Sequence, residues 1–228
     1  MKKTKIIDVF GTELWEAAIL AERKISAKMH HPLLINLAYA FQNVDYLWLV
    51  MDICDAGDLA AFGAHGKHKL TREQLHFVGI ETFCIIAHLH RQCIMYRDLK
   101  PANLLLDDGG HCRLIDFGTA KMNVAESADC PPDSAEECGS RLYMAPEVQN
   151  IEASGERYTH MCDYFSFGVM MYELAERAFP FGLHPQYTDM SEEFVQPELL
   201  DEAVRDGTRR SIVFIAPPMP VGCLFSPP

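Results

Sequence analysis

The stretch MYRDLKPANLL, residues 95–105, places two bases, an acid and an amide between apolar runs. These polar residues are Arg97, Asp98, Lys100 and Asn103. An ordinary loop needs no such density of specific polar groups, although turn formation and helix capping are alternative uses for Asp98 and Asn103. The same groups suit phosphoryl transfer, a reaction that demands a positioned hydroxyl nucleophile and neutralised charge on the phosphates.

The neighbouring sequence predicts the elements that would position this stretch. Residues 33–41 and 46–53 read as two strands joined by a polar turn, and a helical pattern that starts at Thr71 leads into the stretch itself. After it, residues 104–107 (LLLD) and 112–116 (CRLID) predict two short strands joined by the turn DGGH. The polar stretch therefore lies between a long helix and a pair of strands.

Three further segments complete the prediction. Residues 12–29 carry apolar residues at helical spacing with Thr12 as N-cap, and residues 163–175 are apolar on nearly every side, which predicts a buried helix. Residues 120–140 predict a long loop. Beyond about residue 185 the periodicity fails, and the proline-rich end predicts an irregular segment.

Composition narrows the classes of function. The net charge of −12 disfavours a nucleic-acid-binding protein, which would need a basic surface. No segment approaches the roughly 18 to 20 apolar residues of a membrane span, so we expect no integral membrane segment. None of the eight cysteines forms a C-x-x-C pair. That usage argues against a zinc site and favours reduced thiols and a cytoplasmic location.

Three motifs stand in order along the chain: RDLKPAN at 97–103, DFG at 116–118 and APE at 145–147. Such a set has a negligible chance of arising at random. It resembles the signature set of the protein kinase family, and the resemblance covers about residues 2–185. Lys100 within RDLKPAN resembles the serine/threonine rather than the tyrosine kinases. The tyrosine before Arg97 resembles the AGC group, and LAYAF and KPAN lean toward its G-protein-coupled receptor kinase branch.

The resemblance implies an enzyme that uses ATP and Mg²⁺ to phosphorylate serine or threonine hydroxyls of a protein substrate. It implies that Asp98 orients the substrate hydroxyl and accepts its proton, and that Lys100 stabilises the γ-phosphate. Asn103 and Asp116 would hold magnesium, because hard oxygen ligands suit that ion. The oligomeric state is left open.

The resemblance also implies a set of nucleotide-contacting residues near the start of the chain. Glu22 would pair with the phosphate-binding lysine. The family's usual spacing of 19 residues points to Lys3, whereas the local pattern Met-Lys-Lys favours Lys2 with one inserted residue. Solvated surface lysines and a helix-surface glutamate are the alternatives.

The adenine and ribose contacts implied by the resemblance lie further on. Met51 falls at the gatekeeper position, and the backbone of Asp52 and Cys54 would contact adenine. Asp58 would reach the ribose, and Leu105 would complete the nucleotide-contacting set.

The implied fold is α+β, a bilobal protein kinase-like fold with an incomplete small antiparallel β lobe and a mainly α-helical large lobe. The predicted boundaries are 1–54 for the partial small lobe, 55–185 for the core of the large lobe and 186–228 for a divergent, irregular segment. The family's glycine-rich loop and final helices are not recognisable, so we expect a chain truncated at both ends. A catalytically impaired kinase-like binding module is the alternative function.

An acidic run contributes two further expectations. Cys138-Gly139-Ser140 matches the activation segment of the AGC group, and counting back three from Gly139 puts Glu136 where many relatives carry a phosphothreonine. A carboxylate there would partly mimic phosphate by pairing with Arg97. The alternative is that a longer loop shifts the alignment, and Ser134 is a candidate phosphorylation site. Ala102 lies where basic-directed relatives commonly carry glutamate, which argues against a strictly basic substrate consensus.

Overall fold

The computed structural model describes residues 2–5, 25, 29–42, 46–64, 69–122 and 133–180. The chain divides into two compact units, Met1–Phe194 and Val195–Pro228, and all the described residues belong to the first. Of the helix predicted over 12–29 only Ile25 and Met29 are described, and both are buried. The predictions for the segment beyond residue 185 lie outside the described residues.

The start of the chain forms a small antiparallel sheet. Its strands are β1 (Lys2–Lys5), β2 (Leu37–Gln42) and β3 (Tyr46–Met51), and β3 lies in the middle. The two strands predicted from the sequence are present, although β2 begins four residues later than predicted. The residues before it contact a later segment of the chain instead, since Leu34 pairs with Leu114 and the Ile35 N–H donates to the Leu114 carbonyl.

Two long helices form the centre of the larger part. Helix α1 (Arg72–Arg91) begins at Thr71, whose hydroxyl accepts from the Gln74 N–H while the Gln74 side chain accepts from the Thr71 N–H. Such a reciprocal cap satisfies backbone donors that would otherwise lack partners. The apolar helix predicted at 163–175 is α4 (Met161–Glu176), and half of its residues are buried. The two helices pack against each other, and together they enclose the main hydrophobic core.

Short strand pairs arrange the loops above these helices. Strand β4 (Ile94–Met95) pairs with β7 (Lys121–Met122), and β8 (Asp133–Ser134) pairs with β9 (Tyr158–Thr159). Two short helices, α2 (Pro146–Gln149) and α3 (Ile151–Ser154), precede β9. The prediction of a plain loop over 120–140 is therefore wrong at Lys121–Met122 and Asp133–Ser134, where pairing with distant segments creates short strands. Its middle, residues 123–132, lies outside the described residues.

The predicted strand pair after the polar stretch is present as β5 (Leu104–Leu106) and β6 (Cys112–Leu114). Asp107 organises the turn between them, because its Oδ1 accepts from the N–H groups of Gly109 and His111. Strand β5 also contacts the segment that follows β3, through a bridge between Leu105 and Asp58 and a bond from the Leu106 N–H to the Gly57 carbonyl. Within the described residues no helix is long and apolar enough to cross a membrane.

Candidate active site

Asp98 lies at the centre of a small polar cluster in the loop between β4 and the 3-10 turn Pro101–Asn103. Its Oδ2 accepts from Lys100 Nζ at 2.8 Å and from Asn103 Nδ2 at 3.0 Å. Asn103 Nδ2 also donates to the Asp98 carbonyl at 2.8 Å. Asp98 Oδ1 is buried and has no hydrogen-bond partner among the described residues. One carboxylate oxygen is thus fixed, and the other remains able to accept a hydrogen bond.

A buried carboxylate supports this loop from below. Asp163, in the first turn of α4, is fully buried, and its two oxygens accept from the backbone N–H groups of Tyr96 at 2.9 Å and Arg97 at 2.7 Å. His90 Nε2 lies 2.7 Å from the same carboxylate. Arg97 has a left-handed backbone, with φ of 72°, which costs a non-glycine residue about 1–2 kcal/mol. The charge-assisted bonds to Asp163 stabilise that conformation.

Asp116, which follows the end of β6, lies near the polar cluster around Asp98. Its backbone is also left-handed, with φ of 60°, and its side chain is exposed. The next residue, Phe117, is buried with its ring edge-on against Tyr96. The Ile115 N–H donates to the Asn103 carbonyl at 3.0 Å, and the Tyr96 hydroxyl donates to the Ile115 carbonyl at 2.6 Å. These bonds bring the DFG segment beside Asn103, as the two motifs require.

The donor set fits a magnesium ion. The side-chain amide nitrogen of Asn103 donates to Asp98, which leaves the side-chain oxygen Oδ1 of Asn103 for a cation. Asp116 offers a carboxylate. Mg²⁺ is usually bound through one or two such groups together with substrate phosphates. Among the described residues no three His, Cys, Asp or Glu side chains form a metal-binding cluster. The arrangement therefore suits an ion shared with a nucleotide rather than one held wholly by protein.

The segment at 133–140 closely approaches the loop that carries Asp98, residues 96–103. Gly139 has φ of 108°, and a Cβ built there would collide with the Arg97 carbonyl oxygen. Only glycine fits a position that combines a left-handed backbone with such an approach. Beside it, the Ser140 hydroxyl accepts from Lys100 Nζ at 2.6 Å. Ser140 therefore fixes the lysine that also bonds to Asp98.

The Arg97 guanidinium connects several segments. It donates to the Thr119 carbonyl at 2.6 Å, to the Ser134 hydroxyl at 3.0 Å and to Tyr158 Oη at 3.3 Å. It also donates to Glu136 Oε2 at 3.1 Å. That hydrogen bond from Arg97 lowers the pKa of the Glu136 carboxyl below its ordinary value.

A second cation, Lys121 in β7, lies 3.7 Å from Glu136 Oε1 and donates to the Ser134 hydroxyl at 3.2 Å. Glu136 is thus placed between two cations, and the fully buried hydroxyl of Ser134 contacts both of them.

The residues predicted to contact adenine lie at the end of β3 and just after it. Met51 is half-buried, and Asp52 is exposed. The Asp52 N–H donates to the Asn36 carbonyl at 3.2 Å, which ties the end of β3 to the residues before β2. In the described part of the chain, the Cys54 N–H has no hydrogen-bond partner. A backbone acceptor followed by a backbone donor could pair with the edge of a purine.

Asp58 and Leu105 meet through their bridge, so the two predicted nucleotide contacts lie together. Asp58 Oδ1 accepts from the Ala61 N–H at 2.8 Å and thereby caps the short π-helical turn Ala60–Ala64. This capping role was not predicted from the sequence, and it leaves Oδ2 for another partner.

The predicted phosphate-binding lysines are placed only by strand register. In β1, Lys2 lies opposite Leu49 and Lys3 lies opposite Trp48. Glu22, their predicted partner, lies outside the described residues.

Comparison with known proteins identifies the family of this chain. The protein kinase domain matches residues 2–211 of the 228-residue chain. The chain belongs to the protein kinase family. The match extends beyond residue 185, where the resemblance was expected to end.

Several kinases are similar to this chain. A G protein-coupled receptor kinase 2 from Drosophila melanogaster is 37% identical over 193 residues, which cover 84% of this chain and 25% of the relative. Ribosomal protein S6 kinase 2 alpha from Xenopus laevis is 40% identical over 161 residues, or 70% and 21% of the two chains. A RAC family serine/threonine-protein kinase homolog from Dictyostelium discoideum is 34% identical over 183 residues, or 80% and 38%. This kinase chain therefore spans well under half the length of these relatives.

These matches confirm the predicted kinase fold and the assignment to the serine/threonine kinases of the AGC group. They include a receptor kinase together with S6 and RAC kinases.

Sequence reasoning missed two residues that position the kinase's catalytic loop, Asp163 and Ser140. A signal for Asp163 was present, because an acid at the start of a largely apolar helix needs buried donors to compensate its charge. Ser140 was seen only as part of a motif, and its bond to Lys100 was not foreseen.

Proposed function

We propose that this chain is the catalytic part of a cytoplasmic serine/threonine protein kinase that transfers the γ-phosphoryl group of ATP to protein hydroxyls. The observation that carries the proposal is that the two carboxylate oxygens of Asp98 have different surroundings. Lys100 and Asn103 fix Oδ2, while Oδ1 is buried without a partner among the described residues. A carboxylate oriented in this way is ready to accept a hydrogen bond from a substrate hydroxyl.

The proposed reaction follows from these positions. The acceptor hydroxyl donates to Asp98 Oδ1, and its oxygen attacks the γ-phosphorus while the bond to the bridging oxygen breaks and ADP leaves. The proton of the hydroxyl passes to the Asp98 carboxylate. Lys100, held between Asp98 and Ser140, supplies positive charge beside the transferred group. Magnesium held by Asn103 and Asp116 would neutralise the phosphates.

The proposed nucleotide site uses the segment that follows β3. The Asp52 carbonyl and the Cys54 N–H would bind adenine beneath Met51, with Asp58 and Leu105 beside the ribose and base. Either Lys2 or Lys3 would bind the phosphates in partnership with Glu22. We accordingly divide the kinase into a nucleotide-contacting part, 1–54, and a catalytic part, 55–185, followed by residues 186–228.

We also propose that Glu136 replaces a phosphorylated residue in the segment 133–140. Its contacts with Arg97 and Lys121 join the catalytic loop to this segment by a permanent charge. A carboxylate has less charge and fewer acceptor oxygens than a phosphate, so the resulting stabilisation is weaker than a phosphoresidue would give. On this proposal the kinase adopts its active arrangement without phosphorylation of that segment.

Transfer of labelled phosphate from Mg-ATP to a general protein substrate tests the proposed function. Asp98→Asn keeps the shape of the side chain but removes the base, so we expect turnover to fall about 10²- to 10⁴-fold. Asp108→Asn makes the same chemical change at an exposed turn position and should leave turnover unchanged.

Equal low signal from the parent and Asp98→Asn would contradict the catalytic proposal. It would favour the alternative, a kinase-like binding module that acts without catalysis.

A further inference from the structure

The short segment that follows Ser140 is held rigidly. The 3-10 turn Arg141–Tyr143 begins directly after Ser140, and the Arg141 carbonyl accepts from the Met144 N–H and from Gln149 Nε2, both at 3.3 Å. The Tyr143 hydroxyl donates to Glu173 Oε2 at 2.6 Å. Contacts therefore fix the backbone on both sides of the Arg141 side chain.

The Arg141 side chain itself is left in solvent. It is exposed, and no carboxylate of the described residues lies within ion-pair distance of its guanidinium. Three other arginines do have such partners: Arg97 with Glu136, Arg113 with Asp107, and Arg157 with Asp133. A fixed backbone with an uncompensated cation offers a ready site for an anionic group from another molecule.

Arg141 also lies close to the reacting centre. Its neighbour Ser140 bonds to Lys100 Nζ, which bonds in turn to Asp98 Oδ2. A peptide whose hydroxyl contacts Asp98 Oδ1 is therefore separated from the backbone of Arg141 only by the Lys100–Ser140 pair. Because an extended chain advances about 3.3–3.6 Å per residue, the substrate side chains that an arginine at this position would meet are those one or two positions from the acceptor.

Few carboxylates near Arg141 are available to attract a basic residue of a substrate. Ala102, exposed between Lys100 and Asn103, offers no carboxylate to a basic substrate residue. Glu136, in the adjoining segment, is already occupied by Arg97 and Lys121. The segment also carries the exposed acid Glu137, whereas Arg141 is the exposed cation next to Ser140.

We propose that Arg141 is a specificity-determining residue that selects substrates with an aspartate or glutamate one or two positions from the phosphorylated serine or threonine. The proposal rests on the proposed kinase function and adds the substrate class. An arginine suits this task because its planar guanidinium binds a carboxylate through two parallel hydrogen bonds. It would also disfavour basic residues at the same positions by like-charge repulsion.

Short alanine-based peptides with one central serine test the proposal with the whole 228-residue chain. Each carries a single aspartate, lysine or alanine at one flanking position. Binding of fluorescent peptides is measured by anisotropy at concentrations up to about 1 mM, the upper range of ordinary KM values. Phosphate transfer from Mg-ATP to the same peptides is measured separately, so a failure of catalysis is distinguished from a failure of selection.

We expect an aspartate peptide to bind about fivefold more tightly than the alanine peptide at one or two positions. Arg141→Gln should abolish that preference, and Arg141→Glu should transfer it to the lysine peptide. Arg72→Gln, an identical change of charge at the exposed start of α1, should leave it intact.

Equal binding of the aspartate and alanine peptides, including no measurable binding of either, would overturn the proposal. A preference that survives Arg141→Gln would overturn it as well. In either case, transfer to the peptides that still depends on Asp98 would leave the proposed kinase function standing. Selective binding without transfer would support the role of Arg141 and count against catalysis.

Discussion

The catalytic loop, residues 96–103, and the hinge strip, residues 51–58, are fixed in different ways. In the catalytic loop side chains bond to one another, as Lys100 and Asn103 do to Asp98, and buried Asp163 holds the backbone from below. In the hinge strip the contacts come mainly from the backbone, through the Asp52 N–H and the Gly57 carbonyl. Its Ile53 side chain is 82% exposed.

The difference fits the tasks proposed for the two regions. A catalytic loop must hold charges in one geometry, and this requires specific side chains with specific partners. A strip that binds a flat base through its backbone tolerates many side chains. Substitutions should therefore be costly in the first region and mild in the second.

The largest effect is expected at Asp163. Asp163→Ala leaves the N–H groups of Tyr96 and Arg97, together with His90, without their acceptor, so we expect the free energy of unfolding to fall by about 3–5 kcal/mol. Urea unfolding followed by circular dichroism measures this loss. Asp163→Asn retains the size of the side chain and should cost less, since one oxygen can still accept. An equal effect of the two substitutions would show that packing, not hydrogen bonding, explains the role of Asp163.

A smaller but still large effect is expected at Gly139. Gly139→Ala forces a Cβ against the Arg97 carbonyl and should detach the segment 133–140 from the catalytic loop. Gly155→Ala is the matched control, because Gly155 also has a positive φ but open space around it. We expect the control to cost about 1 kcal/mol, from backbone strain alone. Thermal unfolding and phosphate transfer should both show the greater loss for Gly139→Ala.

Glu136 should show an intermediate effect that depends on pH. Its side chain is 64% exposed, so solvent screens its pair with Arg97 and the stabilisation should not exceed about 1 kcal/mol. Because its pKa is lowered in the folded state, this contribution is fully present above the ordinary pKa of about 4.5. It is lost as the pH falls through the lowered value.

The difference in unfolding free energy between the parent and Glu136→Gln, measured from neutral pH into acid, checks this expectation. Glu137→Gln, at the exposed neighbouring acid, is the control. At neutral pH the first substitution should also lower turnover several-fold, and the control should not. Unchanged turnover for Glu136→Gln would remove the proposed replacement of a phosphate.

The smallest effect is expected in the hinge strip. Ile53→Ala removes an almost fully exposed side chain, so stability should change by no more than about 0.5 kcal/mol. Nucleotide affinity, measured by titration with a fluorescent ATP analogue, should also stay within about twofold if adenine binds through the backbone. A large loss of affinity would show that side chains of the strip contact the base, and the contrast with the catalytic loop would fail.

Local patterns predicted much of the described fold. The start of α1 near Thr71, its apolar spacing, and the strand pair β5–β6 with its turn all follow from patterns among neighbouring residues. Short strands such as β7 and β8 were missed, because each consists of two residues whose pairing partners lie far along the chain. Periodicity cannot reveal an element that short.

The candidate site divides in the same way. Sequence by itself determined the family and the residue types for the chemistry, since the motifs around Asp98 and Asp116 are contiguous and specific. Only the tertiary structure decided that Asp163 supports the loop, that Glu136 lies between two cations, and that Arg141 has no partner in the described part. Those facts depend on contacts between residues distant in sequence, and such contacts are set by packing of the whole domain rather than by local propensity.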